Sequence, residues 1–117
     1  MDVAERATAA LGLAGAIASA DGWTSWRAVG AIAGVEVDLS AGVTVVGPGG
    51  RLGADFELQW ESSSVVVVAR RMIHVAPPEE MLARAIVADA AARIATLAGV
   101  PRTSYLSSRL RAARAAA

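Results

Sequence analysis

The chain contains a single histidine, His74, and a run of three serines lies shortly before it, at residues 62–64. A histidine can take the proton of a serine hydroxyl when a carboxylate orients its ring. Asp38 and Glu57 are candidate carboxylates, although no fixed spacing pairs either of them with His74. His74 is therefore a weak candidate for catalysis, and the competing interpretation is that it marks where a buried strand reaches the surface.

Metal and cofactor chemistry has little support in the residue types. The chain has no cysteine, which excludes disulfides, thiol nucleophiles and thiolate metal sites. Acids recur at even spacing, Glu36 with Asp38 and Glu57 with Glu61, so each pair would share one face of a strand. Such pairs could bind a metal ion or act as acid and base, but acids alternating with apolar residues are typical of a solvated outer face. We expect no metal site and no cofactor.

The glycine-rich segment GPGGRLG, residues 47–53, has the composition of a loop that could approach a phosphate closely. Phosphate-binding loops lead from a strand into a helix, and the Walker form carries a lysine followed by serine or threonine. This chain has no lysine, and the segment after Gly53 alternates as a strand would. A hairpin loop is therefore the favoured interpretation.

Arginines accumulate in the last quarter of the chain, where no acid follows Asp89. A basic helix can bind nucleic-acid phosphates, an anionic membrane surface or an acidic protein surface. A formal net charge of zero argues against nucleic acid, and an apolar face made mostly of alanine argues against a membrane surface. We predict instead that Arg109, Arg111 and Arg114 contact an acidic sheet face of the same or a neighbouring subunit.

Three tryptophans stand out in a chain with few aromatic residues. Trp60 alternates in phase with Phe56 and Leu58, which predicts that it lies in the core. Trp23 and Trp26 could line a ligand pocket, anchor an interface, or pack the first helix onto the sheet. Together the three tryptophans are candidates for the lining of an apolar pocket.

One domain spanning residues 1–117 must position these side chains, because the chain has the usual length of a single domain. Helical periodicity predicts a helix over 3–19, with Ala7, Ala14 and Ile17 on its apolar stripe. Alternation with a period of two, interrupted by short turns, predicts an antiparallel meander of about four strands, over about 26–39, 43–46, 55–61 and 65–75.

Two C-terminal helices complete the prediction. Pro77 and Pro78 stop the sheet, and helical patterns then follow over 78–98 and 103–116. The predicted fold class is α+β, with an N-terminal helix, the meander, and both C-terminal helices packed on the sheet.

The predicted strand over 65–75 is apolar on both faces between residues 65 and 69, whereas residues 56–61 are apolar on one face only. Two-sided burial requires a second covering layer, from helices, another sheet or another copy of the chain. Val66, Val68 and Arg70 share one parity of this strand with His74, and the three are predicted interface residues.

These features predict a non-enzymatic α+β domain that assembles with itself, or docks on another protein, through its sheet and helix surfaces. The alternative is a small-molecule binder or small enzyme with an apolar pocket between sheet and helices. No run approaches the ~20 apolar residues of a membrane-spanning helix, and no nucleic-acid partner is expected. A cytoplasmic location is predicted, with export or a place in a larger assembly, such as a virion or secretion system, as the alternative.

Overall fold

The computed structural model describes residues 3–117, and its α+β architecture confirms the predicted fold class. The elements in chain order are α1 (Val3–Ala10), β1 (Gly15–Ala20), β2 (Trp23–Ile32), β3 (Val35–Gly47), β4 (Gly50–Leu52), α2 (Phe56–Glu61), β5 (Ser64–Val68), β6 (Arg71–Val75), α3 (Pro78–Ala88), α4 (Ala91–Thr96) and α5 (Ser104–Ala115). Strands β1 to β4 form an antiparallel sheet in chain order, and β5 and β6 form a separate two-stranded sheet. The chain divides into two compact units between Thr44 and Val45.

The predicted helix over 3–19 is wrong beyond Ala10, because residues 15–20 form β1. Gly12 has a φ of 72°, which interrupts helical geometry, and the Asp21-Gly22 pair then forms a tight turn with φ values of 51° and 81°. Two successive positive φ angles are the requirement of the turn that joins hairpin strands. The small residues of this segment fit either periodicity, and the hairpin turn decides in favour of the strand.

The ring of Trp26 lies across Gly15 on the neighbouring strand, so that a β-carbon at Gly15 would collide with the indole. This is the packing of an aromatic side chain over a glycine that stabilises a sheet where the glycine offers no side chain of its own. The adjacent Ala28 is buried. Trp26 therefore contributes to the packing of the N-terminal unit.

The predicted strand over 55–61 is also wrong, because residues 56–61 form helix α2. Asp55 caps this helix by accepting a hydrogen bond from the backbone N–H of Leu58 at 3.1 Å. Phe56 and Trp60 are four residues apart and therefore lie on one helical face, with ring centroids 5.8 Å apart. Six residues are too few to distinguish the apolar period of a strand, two residues, from that of a helix, 3.6 residues. The cap formed by Asp55 stabilises the helix.

Four further boundaries differ from the prediction. The strand predicted over about 26–39 is divided by a turn at Ala33 and Gly34, whose φ values are 51° and 80°, into parts of β2 and β3. The segment 65–75 is a hairpin instead of one strand, and it turns at Ala69 and Arg70. The turn predicted near Gly42 lies inside β3, which is continuous from Val35 to Gly47. The helix predicted over 78–98 breaks at Asp89, whose left-handed backbone ends α3 while the N–H of Ala90 bonds to the carbonyl of Ala85 at 2.9 Å.

The core of the C-terminal unit lies between β4 and the helices α3 and α5. Its buried apolar side chains come from all three elements and from the end of β3: Val45, Leu52, Leu82, Val87 and Leu106. Proline at the first position of α3, followed by Glu79 and Glu80 at its positive end, begins this helix as the sequence predicts.

The glycines of the segment 47–53 allow this core to close. A β-carbon at Gly50 would collide with the carbonyl of Ala113 in α5, and its φ of 116° is one that L-residues rarely adopt. Gly49 lies against α3 and donates its backbone N–H to the carbonyl of Val87 at 3.1 Å. The segment joins β3 to β4 and brings both strands close to two helices.

Candidate functional site

The β5–β6 hairpin is the most exposed apolar element of the C-terminal unit, and its register defines two faces. Val65 lies opposite His74 and Val67 opposite Met72, and this side is named the histidine face. The opposite side is named the isoleucine face, and it carries Ser64, Val66, Val68, Arg71, Ile73 and Val75. Both faces are therefore mainly apolar.

All ten strand residues of the hairpin are exposed. The exposed fraction reaches 72% at Val67 and 76% at Met72, and it remains 41% at Val66 and 44% at Ile73. The described part of the chain thus provides no layer that buries either face. Contiguous apolar surface of this kind, unlike single exposed apolar residues, marks interaction sites in folded proteins.

The local contacts of His74 orient its ring. Trp60 of α2 stacks on the imidazole with a centroid separation of 3.7 Å and an interplanar angle of 20°. The Ser63 hydroxyl donates to the backbone carbonyl of Trp60 at 2.6 Å and lies 2.8 Å from His74 Nδ1. With the hydroxyl proton assigned to that carbonyl, the hydrogen bond between Ser63 and His74 is donated by Nδ1, and the tautomer of His74 is inferred from this network.

This tautomer does not activate the serine. A nucleophilic serine gives its own proton to the histidine, whereas in this tautomer Ser63 accepts from His74 and donates to the carbonyl of Trp60. Glu57, one of the carboxylates suggested by the sequence, makes no hydrogen bond to His74 in the described structure. Asp38, the other, accepts from Arg27 Nε at 3.0 Å, and this hydrogen bond holds the pKa of Asp38 below its usual range. The arrangement therefore anchors α2 to the hairpin.

Charge is distributed unevenly along the hairpin. The tip carries the exposed guanidinium groups of Arg70 and Arg71. The base is next to α2, which presents the exposed carboxylates of Glu57 and Glu61. None of these four side chains forms an ion pair within residues 3–117. The hairpin is thus basic at one end and acidic at the other, with apolar faces between.

The turn at the tip is strained. Ala69 and Arg70 have φ angles of 50° and 63°, in the left-handed region that favours glycine and asparagine. An L-residue without a compensating side chain is disfavoured there by roughly 1–2 kcal/mol. The absence of glycine or asparagine is also the reason why the sequence predicts an uninterrupted strand at this point.

Arg109 is not on the surface as the predicted interface would need. Its guanidinium donates from Nε to Glu80 Oε1 at 2.7 Å and from Nη2 to the carbonyl of Gly53 at 2.6 Å. Tyr105 donates to the same carboxylate at 2.8 Å and Arg84 at 3.2 Å. Burial, together with this bond to Glu80, raises the pKa of the Tyr105 hydroxyl.

The other predicted residues are placed as follows. Arg111 and Arg114 are exposed on α5, and Val66, Val68 and Arg70 are exposed on the hairpin. Trp60, predicted to be core, is 50% exposed on α2. Trp23 and Trp26 lie in the N-terminal unit and Trp60 in the C-terminal unit, so a pocket formed by all three stays a prediction.

Residues 3–117 also contain a surface depression. An open depression of about 450 Å³ lies between α3 and α4 and is lined by Met81, Ala92, Arg93, Thr96 and Leu97. No group of three or more potential metal ligands is found among the described residues.

None of the helices in residues 3–117 is long and apolar enough to cross a membrane. Comparison with known protein families, curated proteins and solved structures gives no match.

Proposed function

We propose that this protein is a non-enzymatic, self-assembling α+β domain whose copies associate through the β5–β6 hairpin. One observation carries the proposal: seven of the ten strand residues are apolar, and all ten are exposed on both faces. The proposal keeps the self-assembly predicted from residues 65–69 and assigns it to the hairpin.

The physical reason is that a hairpin of this composition is poorly stable without cover. A two-stranded hairpin alone is at best marginally stable in water, and three or more strands or a packed helix are needed. Helix α2 contacts the hairpin at His74, through the ring of Trp60. Burying a valine, isoleucine or methionine side chain completely is worth about 1.5–3 kcal/mol, so association has a substantial driving force.

Long-range charge does not oppose association. The formal net charge of the chain is zero, so copies do not repel one another as strongly charged proteins do. The open strand edges of the hairpin also offer unpaired backbone groups, which are templates for pairing with another chain. Docking on a different protein would use the same surface, and a mass measurement on the purified chain distinguishes the two.

The small-molecule alternative is less well supported. Its apolar pocket would lie between sheet and helices, and in the C-terminal unit the side chains of Leu52, Leu82 and Leu106 fill that layer. The depression beside Met81 lies between two helices and is open to solvent. The self-assembling domain is therefore the function proposed.

Sedimentation equilibrium of the purified chain over a range of concentrations tests this proposal. We expect a mass above the 11.9 kDa of one chain, which falls toward that value on dilution. Val67→Glu should shift the equilibrium to the monomer, because it places a charge in the associated surface. Ile17→Glu is the matched control, since Ile17 is 71% exposed and Val67 is 72% exposed. A monomer at every concentration, or equal effects of the two substitutions, would contradict the proposal.

A further inference from the structure

We infer that two copies pair antiparallel along their β5 strands, about a two-fold axis at Val66, to form a four-stranded sheet in the order β6-β5-β5-β6. This inference rests on the proposed function and specifies its geometry. The partner is a second copy of this chain, and the contact is a strand edge with a defined register.

The backbone of β5 determines which residues can pair. Val68 pairs with Arg71 across the two-residue turn at Ala69 and Arg70. A turn of this kind is closed by a hydrogen bond from the N–H of its last residue, here Arg71, to the carbonyl of its first, here Val68. Bonded and non-bonded pairs then alternate along an antiparallel ladder. The backbone groups of Val66 point toward β6, and those of Val65 and Val67 point to the open edge.

Only one two-fold register uses both outward-facing residues of each β5. With the axis at Val66, Val65 of each copy lies opposite Val67 of the other, and the two copies exchange about four backbone hydrogen bonds. Moving the axis to Val65 or Val67 leaves one of these residues opposite the serine run or the turn. The same register keeps each face continuous across the new sheet, because a two-fold axis through paired strands preserves their sides.

Charge complementarity selects the antiparallel arrangement and the β5 edge. Beyond the ends of β5, the same register brings the turn residue Arg70 of one copy toward residue 62 of the second copy, directly after Glu61. Neither Arg70 nor Glu61 has an ion-pair partner within the described residues. A parallel arrangement would place the arginine-bearing tips side by side, which is unfavourable for like charges.

The edge of β6 offers no such match. Antiparallel pairing there would place the tip of one copy beside Val75 and Ala76 of the other, where no acid is present. Pro77 and Pro78 follow directly, and proline has no N–H to extend a ladder. The β5 edge, flanked by Glu61, is therefore the one that accepts the second copy.

Pairing at β5 also addresses the marginal stability of the hairpin. A four-stranded sheet exceeds the three strands that are needed for independent stability. Val65 and Val67 of both copies then form the centre of one apolar surface, with a Trp60–His74 pair near each end. The Trp60 stack thus covers the outer parts of this surface, and Val65 and Val67 of the two copies meet across the paired strand edges at its centre.

Single-cysteine variants test the register directly, because the natural chain has no cysteine. In Val66→Cys the two α-carbons would be about 4.5 Å apart in a non-bonded pair, within the roughly 4.4–6.8 Å of a disulfide. Ile73→Cys is the matched control, since Ile73 lies opposite Val66 with an exposed fraction of 44% against 41%. Its α-carbons would be separated by three strand spacings, about 14 Å.

A charge exchange tests the same contact without oxidation. Arg70→Glu and Glu61→Arg should each weaken dimerisation several-fold in sedimentation, and the double variant should recover most of the loss. Arg102→Glu changes an exposed arginine outside the hairpin and should leave the dissociation constant unchanged.

The outcomes separate the two claims. Disulfide-linked dimers of Val66→Cys under mild oxidation, with Ile73→Cys remaining monomeric on non-reducing gels, support the inference. Cross-linking of Ile73→Cys alone, equal cross-linking of both variants, or no recovery in the double charge variant overturns it. An oligomeric natural chain whose two cysteine variants both fail to cross-link overturns the inference and leaves the proposed function standing. A monomeric natural chain overturns the proposed function itself.

Discussion

Replacement of Arg109 by methionine should greatly lower the free energy of unfolding of the C-terminal unit. The sequence places Arg109 among the arginines predicted to lie at an interface, but the structure buries it. Its side chain is 6% exposed and that of Glu80 is 2% exposed. The guanidinium bonds to both oxygens of Glu80, at 2.7 and 3.2 Å, and to the carbonyl of Gly53 at 2.6 Å. The substitution leaves a buried carboxylate and a backbone carbonyl without their main donor.

The magnitude follows from what remains unpaired. Removing one partner of a buried ion pair costs about 3–5 kcal/mol, because the other charge stays buried. Tyr105 and Arg84 still donate to Glu80 and keep the loss inside that range. A domain of this size has a free energy of unfolding of about 5–15 kcal/mol, so the loss is a large fraction of the total. In the double variant Glu80→Met, Arg109→Met the charge itself is gone, and we expect partial recovery.

Urea unfolding followed by circular dichroism measures this loss. Arg111→Met on the same helix is the control, since Arg111 is exposed and a surface substitution changes the free energy of unfolding by at most about 0.5 kcal/mol. Equal stability of Arg109→Met and Arg111→Met would show that the buried network does not hold α3 and α5 together.

Three further predictions concern stability. Ala69→Asn should raise the free energy of unfolding by about 1 kcal/mol, and with it the thermal unfolding midpoint, because asparagine tolerates a φ of 50°. Gly50→Ala should lower the free energy of unfolding in urea by more than about 2 kcal/mol, because the new β-carbon would collide with the carbonyl of Ala113. Gly53→Ala should lower it far less, because its β-carbon would meet open space. The raised pKa of Tyr105 stabilises the fold fully below about pH 10 and progressively less as pH rises toward that pKa. Alkaline titration of the unfolding free energy should show this decline, and Tyr105→Phe should reduce it.

The sequence predicts those parts of the fold in which a local signal agrees with the packing. Proline and two acids mark the start of α3, and the helix predicted over 103–116 corresponds to α5 at Ser104–Ala115. Alternating residues identify β3. These signals are sufficient for the α+β class because each segment is long or begins with residues typical of a helix start.

Short segments defeat the same reasoning. Residues 15–20 and 56–61 are six residues each, so a strand and a helix fit their apolar pattern about equally, and the hairpin partner or the Asp55 cap decides. The hairpin tip escapes detection because Ala69 and Arg70 adopt a turn that glycine or asparagine normally signals.

The candidate site could be predicted only in part. The apolar run at 65–69 indicates a surface that requires cover. In the structure, this run lies in the exposed strand β5 and the turn after it. The long-range contacts could not be predicted, because Glu80 and Arg109 are 29 residues apart and Ser63 and His74 are 11 apart, with no periodic signal joining them. The arginine-rich pattern of α5 therefore predicts a surface role for Arg109, a side chain that the fold buries.

Sedimentation equilibrium of the natural chain beside Val67→Glu decides whether the hairpin joins copies of this chain. We expect the mass of the natural chain to approach at least twice the 11.9 kDa of one chain as concentration rises, and Val67→Glu to keep the mass of one chain under the same conditions. A natural chain that stays at the mass of one chain, or a variant that assembles as the natural chain does, would show that the hairpin does not join copies.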